Sequence, residues 1–364
     1  MRALGLVLIL CASPALAAEP SVLWSTTVGQ EPDAAAPDIG PTTELYESCG
    51  PRSIALETLA ARLGASTTRP SPTMLARRVG AAGIAQPWPR AWTVTGDEST
   101  AKARFRAWLG TGARPRRCGI AHRVDALGRV TYAAITVDAL AELAPIPRRT
   151  RVGAWVSIDA RLLVDATAAA VVLLGPDGEP RRVTADLANG TIRSRVNLDQ
   201  PGPWTVQLVA TLPSGPEPVL EVRLHAGVDP PTEVDEPAPL ALPDVQVLMR
   251  FLNAARRDRG LPPVLRTPSL DAAAAAHAAA MAHAERLAHD SGDGDPVERV
   301  QASGARAIVV GENIARAGDA TAAHRALWES PSHRGNMLAR RFAHVGIGVV
   351  RDAGGVWVTE LFTD

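Results

Sequence analysis

Residues 328–338 read WESPSHRGNML, and the way this stretch folds decides what its neighbours can build. Glu329 and His333 stand four apart, a spacing that on one continuous helix puts both on the same face. Pro331 lies between them, and a proline inside a turn removes an amide donor and clashes with the preceding carbonyl. Ser330 and Pro331 instead read as an N-cap and a first-position proline, the start of a new helix. Trp328 and Glu329 then close the helix before it. Two helix ends meet at a corner of a cleft. A carboxylate at a helix C-terminus is disfavoured by the macrodipole, so Glu329 needs a partner.

Working outward, GDATAAHRALWES (318–330) is a helix capped by Asp319, with His324 as a packed or rim residue beside Leu327 and Trp328. Before it, GENIA (311–315) supplies Glu312 and Asn313. Further upstream, Thr267-Pro268 opens an alanine-rich helix expected to run to about Ala288, with His277 as a core histidine and His289 at its end. Asp290, Asp293 and Asp295 lack the spacing of an EF-hand loop. Asp295 to Glu298 makes a capping box for the next helix. Val245, Leu248, Met249, Leu252 and Ala255 recur at helical spacing until Gly260, Pro262 and Pro263 end that helix. His344, in FAHVGIGVV, reads as exposed or structural. Gly346-Ile347-Gly348 lies in a strand pattern with no helix after it, which excludes a nucleotide-binding loop.

LNAARRDRGLPPV, the alanine-rich helix ending in His289, GENIA, WESPSHRGNML and HVGIGVV, in this order and at these spacings, resemble the bacterial branch of the CAP superfamily. That superfamily groups the cysteine-rich secretory proteins, antigen 5 and the plant pathogenesis-related proteins. The resemblance covers 244–364 and implies an α-β-α sandwich with a cleft holding two histidines and two glutamates. Motif by motif it assigns His289 and Glu312 as the first pair and Glu329 and His333 as the second.

Three chemistries are open to such a set. Neutral imidazoles with a carboxylate suit Zn²⁺, and three protein ligands plus water make a hydrolytic site. Carboxylates can also orient the imidazoles for acid-base work without metal. Or the four groups satisfy each other and line a binding groove. No nucleophile is evident, since Ser291 suits the turn it occupies. The expected function is therefore binding of an envelope or extracellular ligand (lipid, glycan or protein), with metal-dependent hydrolysis of peptidoglycan or protein as the alternative.

The remainder of the 364-residue chain is too long for one core and divides into several units. Basic and acidic residues balance at 38 each, so no net charge favours nucleic acid as a partner. MRALGLVLILCASPALA (1–17) has the layout of a secretory signal peptide, too short in its apolar run to span a membrane. The expected location is accordingly extracytoplasmic: periplasm, cell envelope or medium. Leu10 before Cys11 argues against lipid attachment. Removing the leader leaves Cys49 and Cys118, expected to form one disulfide in an oxidising compartment. DPPTEVDEPAPLALP (229–243) reads as an extended linker. Residues 150–228 carry short β-rich runs between turn clusters and suggest an immunoglobulin-like β-sandwich. In PVLEVRLHAGV, Leu220, Val222 and Leu224 alternate with Glu221, Arg223 and His225, which places His225 on a face expected to be solvated. Residues 40–145 form an α+β unit. Within it RAWLGTGARPRRCGIAHRVDALGRVTYAAIT (106–136) resembles 325–361, which suggests a degenerate CAP-like repeat without the GEN segment. The whole is a multi-domain α+β protein.

Overall fold

The computed structural model describes residues 22, 24–30, 42–109, 114–232 and 236–364. The expected leader, with Cys11, lies outside them. A short strand β1 (Thr27–Val28) is followed by helices α1 (Thr43–Cys49), α2 (Ile54–Ala65) and α3 (Pro72–Ala81) and strand β2 (Arg90–Gly96). Helix α4 (Glu98–Leu109) and the strands β3 (Arg116–Val124) and β4 (Val130–Asp138) complete this region, whose antiparallel sheet has the order β2-β4-β3. Ser53 and Ser71 accept backbone N–H groups and cap α2 and α3. Leu56, Ala60 and Leu63 of α2 pack on Ala133, Ile135 and Val137 of β4, while Phe105 and Leu109 of α4 cover the opposite face. Cys49 is bonded to Cys118 of β3, as expected.

Residues 141–226 are all-β: β5 (Ala141–Leu143), β6 (Ile146–Pro147), β7 (Arg149–Thr150), β8 (Ala154–Leu162), β9 (Ala168–Leu174), β10 (Pro180–Thr184), β11 (Asp186–Ala188), β12 (Thr191–Leu198), β13 (Gly202–Leu212) and β14 (Gly215–Ala226). They form sheets of order β10-β9-β13-β14-β7 and β11-β12-β8-β5, with β6 paired to β1. Trp204, Val206 and Leu208 of β13 meet Ile158, Ile192 and Val196 in the core between the two sheets. Leu220, Val222 and Leu224 of β14 face that core, as their alternation indicates. The other face of β14 is not solvated. His225 is 2% exposed and stands edge-on to Trp24 at 5.5 Å, because the segment around β1 and the end of α3 lie over it. Arg148 ties that cover down through the carbonyls of Ser25 and Gly80. Burial, then Arg148 and Arg223, push the His225 imidazole down to about 4. A period-two pattern reports which face meets the sheet's own core and is silent about what covers the other.

The last region comprises α5 (Asp244–Asp258), β15 (Leu265–Arg266), α6 (Pro268–His283), α7 (Pro296–Ala302), β16 (Val310–Ala317), α8 (Ala320–Glu329), α9 (Pro331–Leu338), β17 (His344–Asp352) and β18 (Gly355–Thr363). The sheet order is β15-β17-β18-β16, with α6 on one face and α5 and α8 on the other. Gly346 and Gly348 are required here, since a Cβ on either would come within 2.2 Å of the α6 backbone at Leu270 or Ala274. The Asp295–Glu298 capping box is present. Helix α6 stops at His283, five residues before the expected end. Glu285 takes a left-handed conformation there at φ 49° and turns the chain out of the helix.

The first and last regions share an order of elements. In both, a helix, a short parallel bridge, two helices, a strand, then one helix (α4) or two (α8 and α9), and a hairpin fold so that the first strand pairs with the last and the hairpin closes the sheet. The bridge joins Arg52 to Cys118 in one and Arg266 to Val345 in the other. The next amide repeats the match, with Ser53 N–H donating to Cys118 O at 2.7 Å and Thr267 N–H to Val345 O at 3.1 Å. Gly119 approaches the backbone at Leu56 of α2 just as Gly346 approaches Leu270 of α6.

Candidate functional site

His289 is positioned by a residue that takes no part in the cleft. His277 of α6, fully buried, donates from Nε2 to the carbonyl of Ala288 at 3.0 Å, while its Nδ1 lies 2.9 Å from the Asp293 carboxylate. The loop is thereby pinned on both sides of His289. His289 Nδ1 then lies 2.7 Å from Glu312 Oε1 on edge strand β16. The second Glu312 oxygen accepts from Arg299 Nη2 at 2.5 Å, and the same nitrogen reaches the His289 carbonyl. Burial pushes the Glu312 carboxyl up, but the hydrogen bond and charge of His289, with Arg299 and His277, outweigh it and hold it below its ordinary range.

WESPSHRGNML folds as two helices meeting at Ser330, with Pro331 opening the second. The Ser330 side chain does not cap α9. The Ser332 N–H is satisfied by Gln207 Oε1 from β13 at 3.1 Å, and Gln207 Nε2 donates to Ser330 Oγ and to Glu221. His333 is 6% exposed, its Nε2 has no partner among the described residues, and burial followed by the proximity of His289 lowers it to about 3. Its ring is thus neutral. Asn313 donates to the His333 carbonyl and to Glu360, and Asn336 donates to both Glu312 O and Asn313 Oδ1. The amides of GENIA and WESPSHRGNML thus bind each other.

Glu329 turns away from this group. Its two oxygens accept from Arg77 of α3 at 2.8 Å, from Arg223 of β14 at 2.7 Å and from Arg325 at 2.9 Å. Burial raises its pKa, but Arg223 and Arg77 more than offset this and bring it down to about 2. The partner that the helix C-terminus demanded is therefore supplied by two other regions of the chain. Between these elements lies a cavity of about 220 Å³. Trp24, Ile84, Trp88, Leu287, Ile314 and Trp357 form its apolar walls, and Arg77, Arg223, Glu329 and His333 its polar end. Trp88, at φ 58° between two prolines, lays its ring edge-on to His289 at 6.3 Å and covers it.

Helices on both faces of a four-stranded sheet, with GENIA on the edge strand and the Ser330 corner beside it, meet a specific family description. The family model for the cysteine-rich secretory protein family, CAP, matches residues 249–362. Residues 249–362 are a CAP domain. Among solved structures, the chain is similar to an outer surface protein of Borrelia burgdorferi at 16% identity and TM-score 0.32, over 33% of this chain and 92% of that one. An extracellular protein containing an SCP domain from Bacillus anthracis aligns at 21% identity and TM-score 0.31, over 50% and 66%. A cysteine-rich secretory protein of Staphylococcus aureus aligns at 13% and 0.29, over 62% and 80%. No curated protein matches the chain. Among the described residues no helix is long and apolar enough to cross a membrane.

The CAP domain brings His289, Glu312 and His333 to one end of the sheet and commits Glu329 to arginines. Zinc fits this arrangement poorly. Glu312 and Glu329 are held by guanidinium groups, and among the described residues no three His, Cys, Asp or Glu side chains come together as a metal ion requires. No step through a metal is derived. His324 is stacked between Phe251 and Trp328, and His344 sits beside Thr267, both structural. Several participants escaped sequence reasoning: Arg77, Arg223, Arg299 and Glu360. Glu360 carried a usable signal, an acid inside the apolar run WVTELF. It is buried, its Oε1 unpartnered, and burial raises it to about 7.

Proposed function

We propose that the chain is an extracytoplasmic binding protein that holds a small envelope or extracellular ligand in the cleft of its CAP domain. The observation that carries this reading is the cavity at His333, whose walls come from all three regions. On this reading His333 lines the inner end of the cleft, His289 and Glu312 stand outside its lining, and Glu329 fixes the other regions over it. We divide the chain into a unit at 40–145, an immunoglobulin-like sandwich at 150–228, a linker at 229–243 and the CAP domain at 244–364. The linker supports the closed arrangement, since Glu236 accepts from Thr73 of α3 and lines the cavity. The first unit is a CAP-like repeat that has lost its site. The shared bridge, amide and glycine contacts support this, and Ala91 stands where the sheet register of the CAP domain has Glu312.

A thermal-shift screen of small amphipathic compounds tests the proposal, run beside Ala326→Trp, which fills the cavity from α8. Compounds that raise the wild-type Tm and leave the variant unmoved are expected. Equal responses in the two proteins, or none in the wild type, sink the reading.

A further inference from the structure

The polar end of the cavity has an unequal supply of hydrogen-bond donors and acceptors. Both Glu329 oxygens are already shared, Oε1 by Arg77 and Arg325 and Oε2 by Arg77 and Arg223. Glu221 accepts from Gln207. Glu329 is thus filled and Glu221 bonded through one oxygen, and beside them stand donors with capacity left. Arg77 and Arg223 each reach Glu329 through Nη2, and a guanidinium carries five N–H groups in a fixed fork. His333 Nε2, buried and unpartnered at the same end, adds a further donor in the Nε2–H tautomer. A buried polar atom without a partner costs stability unless something fills the role, so the site is built for an incoming group.

The aromatic walls narrow the class further. The face of Trp24 is covered by the Arg148 guanidinium at 4.8 Å and that of Trp357 by Arg316 at 4.4 Å. A cationic ligand would meet guanidinium groups at two of the three tryptophans that line the cavity. The volume, about 220 Å³, falls below the roughly 300 Å³ at which drug-sized sites begin, so the occupant is small.

We propose that the cavity takes a small amphipathic carboxylate, its oxygens received by Arg77, Arg223 and His333 Nε2 and its apolar part held between Trp88 and Trp357. The inference rests on the binding reading above and names the class of ligand for that site. The same chemistry is offered by a free branched or aromatic acid and by the C-terminal residue of a peptide.

Calorimetric titration of the full chain with 4-methylpentanoate, 4-methylpentanamide and 4-methylpentylamine separates the alternatives without any variant. The acid is expected to bind at least about tenfold more tightly than the amide, and the amine most weakly. Arg77→Gln is expected to weaken the acid by at least about tenfold more than the amide and so close the gap between them. Acid and amide bound equally, the amine bound best, or none of the three bound would each overturn the carboxylate assignment. The first two of those results leave the cavity a binding site. Acid binding that persists unchanged in Ala326→Trp would overturn both readings. N-acetyl-leucine distinguishes the sources: tighter binding than the free acid identifies a peptide terminus, and weaker binding a free acid.

Discussion

The first region and the CAP domain press a helix onto a glycine of a sheet strand by the same contact, yet they differ in what stands across the neighbouring strand. Beside Gly346, across Leu361, is Glu312, with His289 and Arg299 around it. Beside Gly119, across Ile135, is Ala91. The scaffold needs the glycine and is indifferent to the acid. A fold of this kind keeps its shape through backbone approach, so site residues on the edge strand can be gained or lost without disturbing it. The first region puts that freedom to a different use, sending the Pro87-Trp88-Pro89 loop over His289 of its counterpart.

Four measurements put this contrast between the two regions to the test. The largest expected effect is in the first region alone: Cys49→Ala/Cys118→Ala removes a crosslink spanning 69 residues and should cost about 4 kcal/mol in denaturant unfolding, as loop-closure entropy gives. The CAP domain relies on no disulfide among its described residues, so a probe confined to it should move less. Next, Gly119→Leu and Gly346→Leu each drive a side chain into helix backbone and should destabilise by about 3 kcal/mol. Tolerance of one but not the other would end the correspondence between the two regions.

Glu360→Gln probes a feature only the CAP domain has. Its folded pKa is raised to about 7 by burial, above the ordinary 4.5. Its stabilising contribution is therefore full below about pH 4.5 and is lost as pH rises through 7. The glutamine variant should match wild type at pH 4 and exceed it at pH 8 by up to about 3 kcal/mol, read from urea melts. A flat difference across pH would show that Glu360 is not buried as described. The smallest effect is expected for Glu329→Gln. Glu329's pKa is depressed to about 2, so its contribution is present above about pH 4.5 and disappears as pH falls through 2. At neutral pH the variant should lose about 2 kcal/mol, a figure reduced because the pair is partly solvated, and limited proteolysis near the 229–243 linker should quicken.

Much of this architecture was legible because local rules and the global fold agree. Asp319 and the Asp295–Glu298 box cap the helices their positions announced, and Pro331 separates two helices. What could not be read depends on contact between regions. His225 follows a correct alternation and is nevertheless buried, since nothing in β14 states that another region will cover it. Glu329 announced that it needed a partner, but Arg77 and Arg223 lie 252 and 106 residues away. Gln207, a strand residue of the sandwich, caps α9 in place of Ser330, and no rule of local spacing reaches that far. The end of α6 was missed for a different reason: alanine has the highest helix propensity, and the left-handed Glu285 that stops the helix carries no glycine to signal it.

The same sequence separations set the order in which the molecule can be completed. The contacts of Arg77 and Arg223 with Glu329, and of Gln207 with Ser330 and Ser332, form only once residues 329–332 have been made. Docking of the last third closes the cavity, whose walls come from all three regions, so an intact cavity requires that all three have folded and met.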